Sequence, residues 1–200
     1  MAIRSTPRAR STLLTILAAA VLCVSTGSVG GETVPPSAGG PAPNFALTTQ
    51  QNDRLWLTQL RGRAVVLGFA CTACGACPDL VPGLAKLARG MGDAPGRRVF
   101  FAVVTVDPAR DSPAVLREFG RLHGLRAPAW LFLTEDRMGQ VEVVTRRYGV
   151  AVRRVGERVE ADCALTLIDG DGRIRARHDL GSIEALDRDL RTLLALPSSR

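Results

Sequence analysis

Cys71, Cys74 and Cys77 stand three residues apart. They follow the continuous apolar run 64–70 and precede Leu80, Leu84 and Leu87 at helical spacing. A run apolar at every position suits a strand buried on both faces, and the leucines suit one stripe of a helix. Three thiols therefore fall at a strand-to-helix junction. Packing does not require that spacing, because a buried cysteine behaves as a small hydrophobe at any position. Redox chemistry or a soft metal does suit it. On a helix, residues three apart share a face, so Cys74 and Cys77 can close a short disulfide there. A helix N-terminus also favours a thiolate, which makes Cys74 the better nucleophile if it lies nearest the helix start. Two roles stay open for Cys71: burial at the strand end, or a disulfide with Cys74.

The rest of the chain alternates in the same way. Residues 99–106 form a second buried strand, and Ser112-Pro113 open a helix with Val115, Phe119 and Leu122 on one face, since proline is tolerated in a first turn. Leu55-Trp56-Leu57 is a short strand, and Val141, Val144 and Tyr148 mark a helix. Residues 164–168 and 174–180 are strands joined at Gly170-Asp171-Gly172, a turn that favours a hairpin. A last helix from Ser182 carries Ile183, Leu186, Leu190 and Leu193 inward. Pro82 is expected to kink the first helix. The pattern predicts an α/β, thioredoxin-like fold: a mixed central sheet flanked by helices, with a short N-terminal β extension.

Before this domain lie two segments of different composition. Arg4, Arg8 and Arg10 precede the apolar run 13–24, and small residues follow from Ser25 to Gly31. Residues 1–31 are expected to be a signal peptide or signal anchor, with the apolar run shorter than the ~20 residues of a usual membrane span. Cys23 raises a lipoprotein alternative, which the bulky Leu22 before it disfavours. Residues 32–43 are expected to be a flexible tether and 44–197 the thioredoxin-like domain. Work across the inner membrane, periplasmic or membrane-anchored, lets disulfides persist. The net charge of +7 comes almost wholly from arginine, Lys86 being the one lysine. No basic cluster is interleaved with aromatics, which argues against nucleic acid as a partner.

Two related families share these motifs. Phe69, Cys74 and Cys77, with Pro82 and Leu84 beyond, resemble the active-site helix of TlpA/ResA-type thiol–disulfide oxidoreductases, although Ala73 stands where those have tryptophan. The chain from about 42 to 195 is similar to the Sco/SenC family. Phe69-Ala70-Cys71-Thr72-Ala73-Cys74 resembles that family's Phe-x-Tyr-Thr-x-Cys, and Cys77-Pro78 its second Cys-Pro. Val103–Pro113 is the most specific match, and Tyr148-Gly149-Val150 and Leu167–Gly172 follow in family order. Two departures stand out. Only Gly75 and Ala76 separate Cys74 from Cys77, where Sco proteins have three residues, and the family's copper-binding histidine falls at Ala161. The TlpA-type alignment puts Cys163 where that family has its cis-proline, against the cysteine pair.

The resemblance implies a Sco-like thiol–disulfide redox protein that delivers copper or reducing equivalents for assembly of the cytochrome c oxidase copper site. Cys74 attacks and Cys77 resolves. Its partner is a redox protein, such as an oxidase subunit. A metal set of Cys74, Cys77 and Cys163 is expected if copper is bound, with Cys163 on the same side as Ala161. Two alternatives differ in class: a metal-free TlpA/ResA-type oxidoreductase, and a binding module stapled by disulfides or by zinc on Cys71, Cys74, Cys77 and Cys163. Asp107, Arg110 and Asp111, after the second strand, either orient a partner near the thiols or serve turn and cap chemistry.

Overall fold

The computed structural model describes Met1 and residues 36–75, 77–135 and 139–196. Apart from Met1, the expected targeting segment lies outside these residues, as does Cys23. No helix among the described residues is long and apolar enough to cross a membrane.

Among the described residues, the domain has nine strands and four α-helices. In chain order they are β1 (Ala46–Thr49), β2 (Arg54–Trp56), β3 (Ala64–Ala70), α1 (Leu80–Arg89), β4 (Val99–Thr105), α2 (Pro113–Leu122), β5 (Trp130–Thr134), α3 (Gln140–Arg147), β6 (Val152–Val155), β7 (Arg158–Ala161), β8 (Ala164–Ile168), β9 (Ile174–Asp179) and α4 (Ile183–Ala195). Seven strands form one sheet in the order β2-β1-β5-β4-β3-β8-β9. β3, β4 and β5 are parallel, and β1, β8 and β9 join antiparallel. This is the mixed sheet of a thioredoxin-like fold, with the β1–β2 hairpin as the N-terminal extension.

Strand alternation divides the core into two layers. Val65, Leu67 and Phe69 of β3 join Phe100, Ala102 and Val104 of β4 under α3. Ala64, Val66 and Ala70 join Val99, Phe101 and Val103 on the other face, beneath α1, α2 and α4. Every residue of β3 and β4 is buried, so the two continuous apolar runs are strands covered on both sides.

Several details differ from the sequence-based expectations. On α2 the inward residues are Leu116 and Gly120, while Val115 and Leu122 are exposed. Gly120 sets that face, because a Cβ there would come within 2.7 Å of the Leu125 carbonyl oxygen and 3.1 Å of the Phe132 ring. Pro82 falls in the first turn of α1, where an N–H has no helical partner to lose, so it breaks no ladder bond. β6 and β7 form a separate two-stranded hairpin absent from the sequence-based reading. All four residues of β6 are exposed, so no buried stripe marks it. Residues 39–42 lie along β9: Gly39 N–H donates to Ile174 O (2.7 Å) and Ala42 N–H to Gly172 O (2.9 Å).

Candidate functional site

The thiols gather where β3 ends. Cys71 directly follows the strand, and α1 begins only at Leu80, so Cys71, Cys74 and Cys77 all lie in the connecting loop. The helical placement of Cys74 and Cys77 is thus corrected. The reason is Pro78, whose ring disfavours helical backbone at Cys77 and pushes the helix start beyond it. Cys77, not Cys74, is the cysteine nearest the helix, and its carbonyl accepts from Leu80 N–H at 3.2 Å.

Four cysteines form two disulfides. Cys71 is bonded to Cys74 (Cα–Cα 5.0 Å) and Cys77 to Cys163 (Cα–Cα 5.6 Å). Of the pairings left open by the spacing, Cys74 with Cys77 is not the one adopted. Cys163 reaches the loop through β8. The antiparallel register pairs Gly68 with Leu165, and continued by two residues it puts Cys163 level with Ala70. Cys71 and Cys74 are half-buried against the layer under α3. Cys77 is 6% exposed in the opposite layer, and half-buried Cys163 packs with it. The two bonds therefore lie toward opposite faces of the sheet at the C-terminal end of β3.

Asp111 holds the loop in place. It is fully buried, and its carboxylate accepts from Thr72 N–H (3.0 Å), Thr72 Oγ1–H (2.5 Å) and Thr105 Oγ1–H (2.5 Å). Thr72 lies between the cysteines of the first disulfide, so this contact across 39 residues orients the bond. Asp107 and Arg110 serve the turn: Arg110 N–H donates to Asp107 O at 3.1 Å, and their side chains pair at 3.3 Å. The helix cap is Ser112, whose hydroxyl accepts from Val115 N–H at 3.4 Å. Beneath the loop, Tyr148 packs on Phe69 with ring centroids 5.7 Å apart and donates its hydroxyl to Pro43 O at 2.8 Å. Burial pushes the Tyr148 phenol well above its ordinary pKa, and the nearby Arg177 offsets this only in part.

Ala161, the position of the family histidine, ends β7 beside the thiols, with its carbonyl oxygen 3.5 Å from Cys77 Sγ. Its methyl joins the layer under α3, whereas Cys163 packs in the opposite layer. The shared side expected for the two fails because the chain leaves the β7 pairing at Asp162 before it enters β8. A methyl supplies no donor, so the residues present lack the third ligand of the copper site the family implies and do not fit it. His178 instead pairs with Asp189 at 3.0 Å, and His123 caps α2. Among the described residues no three or more His, Cys, Asp or Glu side chains are arranged to hold a metal, and pairwise bonding leaves no four-thiolate zinc site.

A parallel-strand core with a cysteine loop between β3 and α1 and a β8–β9 hairpin closing the edge defines a thioredoxin-like protein with disulfides at its strand-to-helix junction. The SCO1/SenC family profile matches residues 36–194, and the chain belongs to that family. Among solved structures, it resembles Bradyrhizobium japonicum ScoI with copper bound, at 26% identity and TM-score 0.63, covering 78% of this chain and 99% of that one. A SCO1/SenC family lipoprotein from Bacillus anthracis shares the fold at 22% identity and TM-score 0.69, with 78% and 96% covered. So does BsSco, described as a member of the Sco family of cytochrome c oxidase assembly proteins with a disulfide switch, at 20% identity and TM-score 0.67, with 80% and 96% covered. No curated protein matched by sequence.

Proposed function

We propose that this chain is an extracytoplasmic thiol–disulfide redox protein that supplies reducing equivalents for assembly of the cytochrome c oxidase copper site. One observation carries the reading: four cysteines are paired at the C-terminal end of one central strand, and one pair, Cys71–Cys74, is half-exposed on a loop. A disulfide within reach of a partner thiolate is the group that exchange requires. In the reduced state Cys74 attacks a partner disulfide. The Cys71–Cys74 pairing supports Cys71, in place of the Cys77 expected from the sequence, as the thiol that resolves the mixed disulfide. Persistent disulfides and the basic-apolar leader support an oxidising compartment. The oxidase partner is drawn from the description of BsSco, and the copper alternative from ScoI, which is described with copper bound. Reducing equivalents are favoured over copper because Ala161 offers no donor.

Equilibration in graded ratios of reduced to oxidised dithiothreitol, followed by thiol alkylation and mass measurement, tests this reading. At least one disulfide is expected to open and close reversibly while the fold persists. Bonds that open only on unfolding would overturn the proposal. Reduced protein that retains one Cu(I) against a strong chelator would move the assignment to copper delivery.

A further inference from the structure

Exchange with a partner needs one disulfide, and the end of β3 has two. Cys77 is 6% exposed and sits behind the loop, its sulfur against the Ala161 carbonyl. Cys71 and Cys74 lie on the loop itself, half-buried. Only Gly75 and Ala76 separate Cys74 from Cys77, which limits their Cα separation to about 11 Å even when fully extended. The loop is also held unevenly. Thr72, next to Cys71, is bound to buried Asp111 through both its N–H and its hydroxyl. On the far side of Cys74 is Gly75, exposed, where an added Cβ would meet nothing within 4 Å. Cys71 is thus on the side anchored to the fold, whereas Cys74 is held only locally, its N–H donating to Cys71 O at 3.3 Å, with open space at the next residue.

We infer that the two disulfides work in series: the Cys71/Cys74 pair takes electrons from a partner dithiol and passes them to Cys77–Cys163 through a transient Cys74–Cys77 bond. This rests on the exchange function proposed above and adds an internal electron store to it. A partner thiolate attacks the Cys71–Cys74 bond, and the partner's second thiol resolves the mixed disulfide. The partner leaves oxidised, with Cys71 and Cys74 reduced. Cys74 thiolate then attacks Cys77 Sγ, the Cys77–Cys163 bond breaks, and Cys163 departs as thiolate and takes up a proton. Cys71 thiolate next attacks Cys74, so Cys71–Cys74 re-forms and Cys77 leaves as thiolate and is protonated. The net result is two electrons and two protons moved from the partner's dithiol to Cys77 and Cys163. The loop disulfide is restored for a second round, giving four electrons per chain. In the reduced state the Ala161 carbonyl is positioned to accept from the Cys77 S–H.

The test uses the oxidised folded protein and limiting reduced thioredoxin as the dithiol donor. Samples are quenched in acid, differentially alkylated and mapped by tandem mass spectrometry. In the wild type, the first two electrons are expected on Cys77 and Cys163, with Cys71–Cys74 intact. Cys71→Ser removes the second step and is expected to accumulate the Cys74–Cys77 bond with Cys163 free. In Cys71→Ser/Cys74→Ser, thioredoxin is expected to open Cys77–Cys163 at least tenfold more slowly than in the wild type. Electrons resting on Cys71 and Cys74 first, or equal opening rates in the double variant, would overturn the series arrangement while leaving exchange standing. If thioredoxin and dithiothreitol open neither bond in the folded wild type, the exchange function fails and the series arrangement with it. The wild-type order of reduction needs no variant to fold.

Discussion

The two disulfides lie together at the C-terminal end of β3 but differ in the chain they enclose and the water they meet. Cys71–Cys74 closes a separation of three residues on a half-exposed loop, and Cys77–Cys163 spans 86 residues with one sulfur buried. Loop-closure entropy makes the first worth about 1.5 kcal/mol and the second about 4.5 kcal/mol in the chain-entropy account. The short bond constrains little that the turn and Asp111 do not already hold, so it can open at small cost to the fold. The long bond ties the α1 junction to β8. The same chemical group thus acts as the entry point for exchange in one place and, while oxidised, as a staple in the other, and sequence separation and burial set the difference.

Removing the staple should have the largest effect. Cys77→Ala/Cys163→Ala is expected to lose about 4 kcal/mol relative to the oxidised wild type, read from guanidinium unfolding midpoints. Asp111→Ala leaves Thr72 N–H and the Thr105 hydroxyl without their buried acceptor, at about 2–3 kcal/mol. It should also speed reduction of Cys71–Cys74 in an alkylation time course, an effect a distant destabilising change would not produce. Cys71→Ala/Cys74→Ala should cost only about 1.5 kcal/mol in the same unfolding assay. A loss equal to that of the first pair would erase the contrast between the two bonds.

The smallest effect concerns the residue beneath the loop. Tyr148→Phe forfeits the hydrogen bond to Pro43 O, about 1 kcal/mol near neutral pH. Burial raises the phenol's pKa above its unfolded value near 10.0. The folded state therefore holds the proton more tightly than the unfolded chain. Stability from this group is fully present below pH 10.0 and declines as pH rises beyond it. Tyr148 is the sole tyrosine, so tyrosinate absorbance should appear only with alkaline unfolding, and the Phe variant should lose that part of the pH dependence.

Much of this was legible from the chain. The apolar runs of β3 and β4 have no polar face to turn to water, so they had to be central strands, and the thiols had to follow at a strand-to-helix junction. The β8–β9 hairpin followed from its glycine turn. Other signals were present but outweighed: Cys77-Pro78 argues against a helix at Cys77, and Gly156-Glu157 is a two-residue turn of the kind that joins β6 to β7. The α2 face was misjudged because apolar spacing does not report that Gly120 must sit against the Leu125 carbonyl.

By itself, the sequence determined the layered α/β architecture, the family and the clustering of three thiols, because periodicity and local motifs are properties of neighbours along the chain. The partner of each sulfur, and the hold of Asp111 on Thr72, were decided only by tertiary structure. Three cysteines at equal spacing permit several local pairings with little to separate them. The choice was made by the register of β8 on β3, which carries Cys163 to the end of the strand, where Cys77 lies buried and ready to meet it.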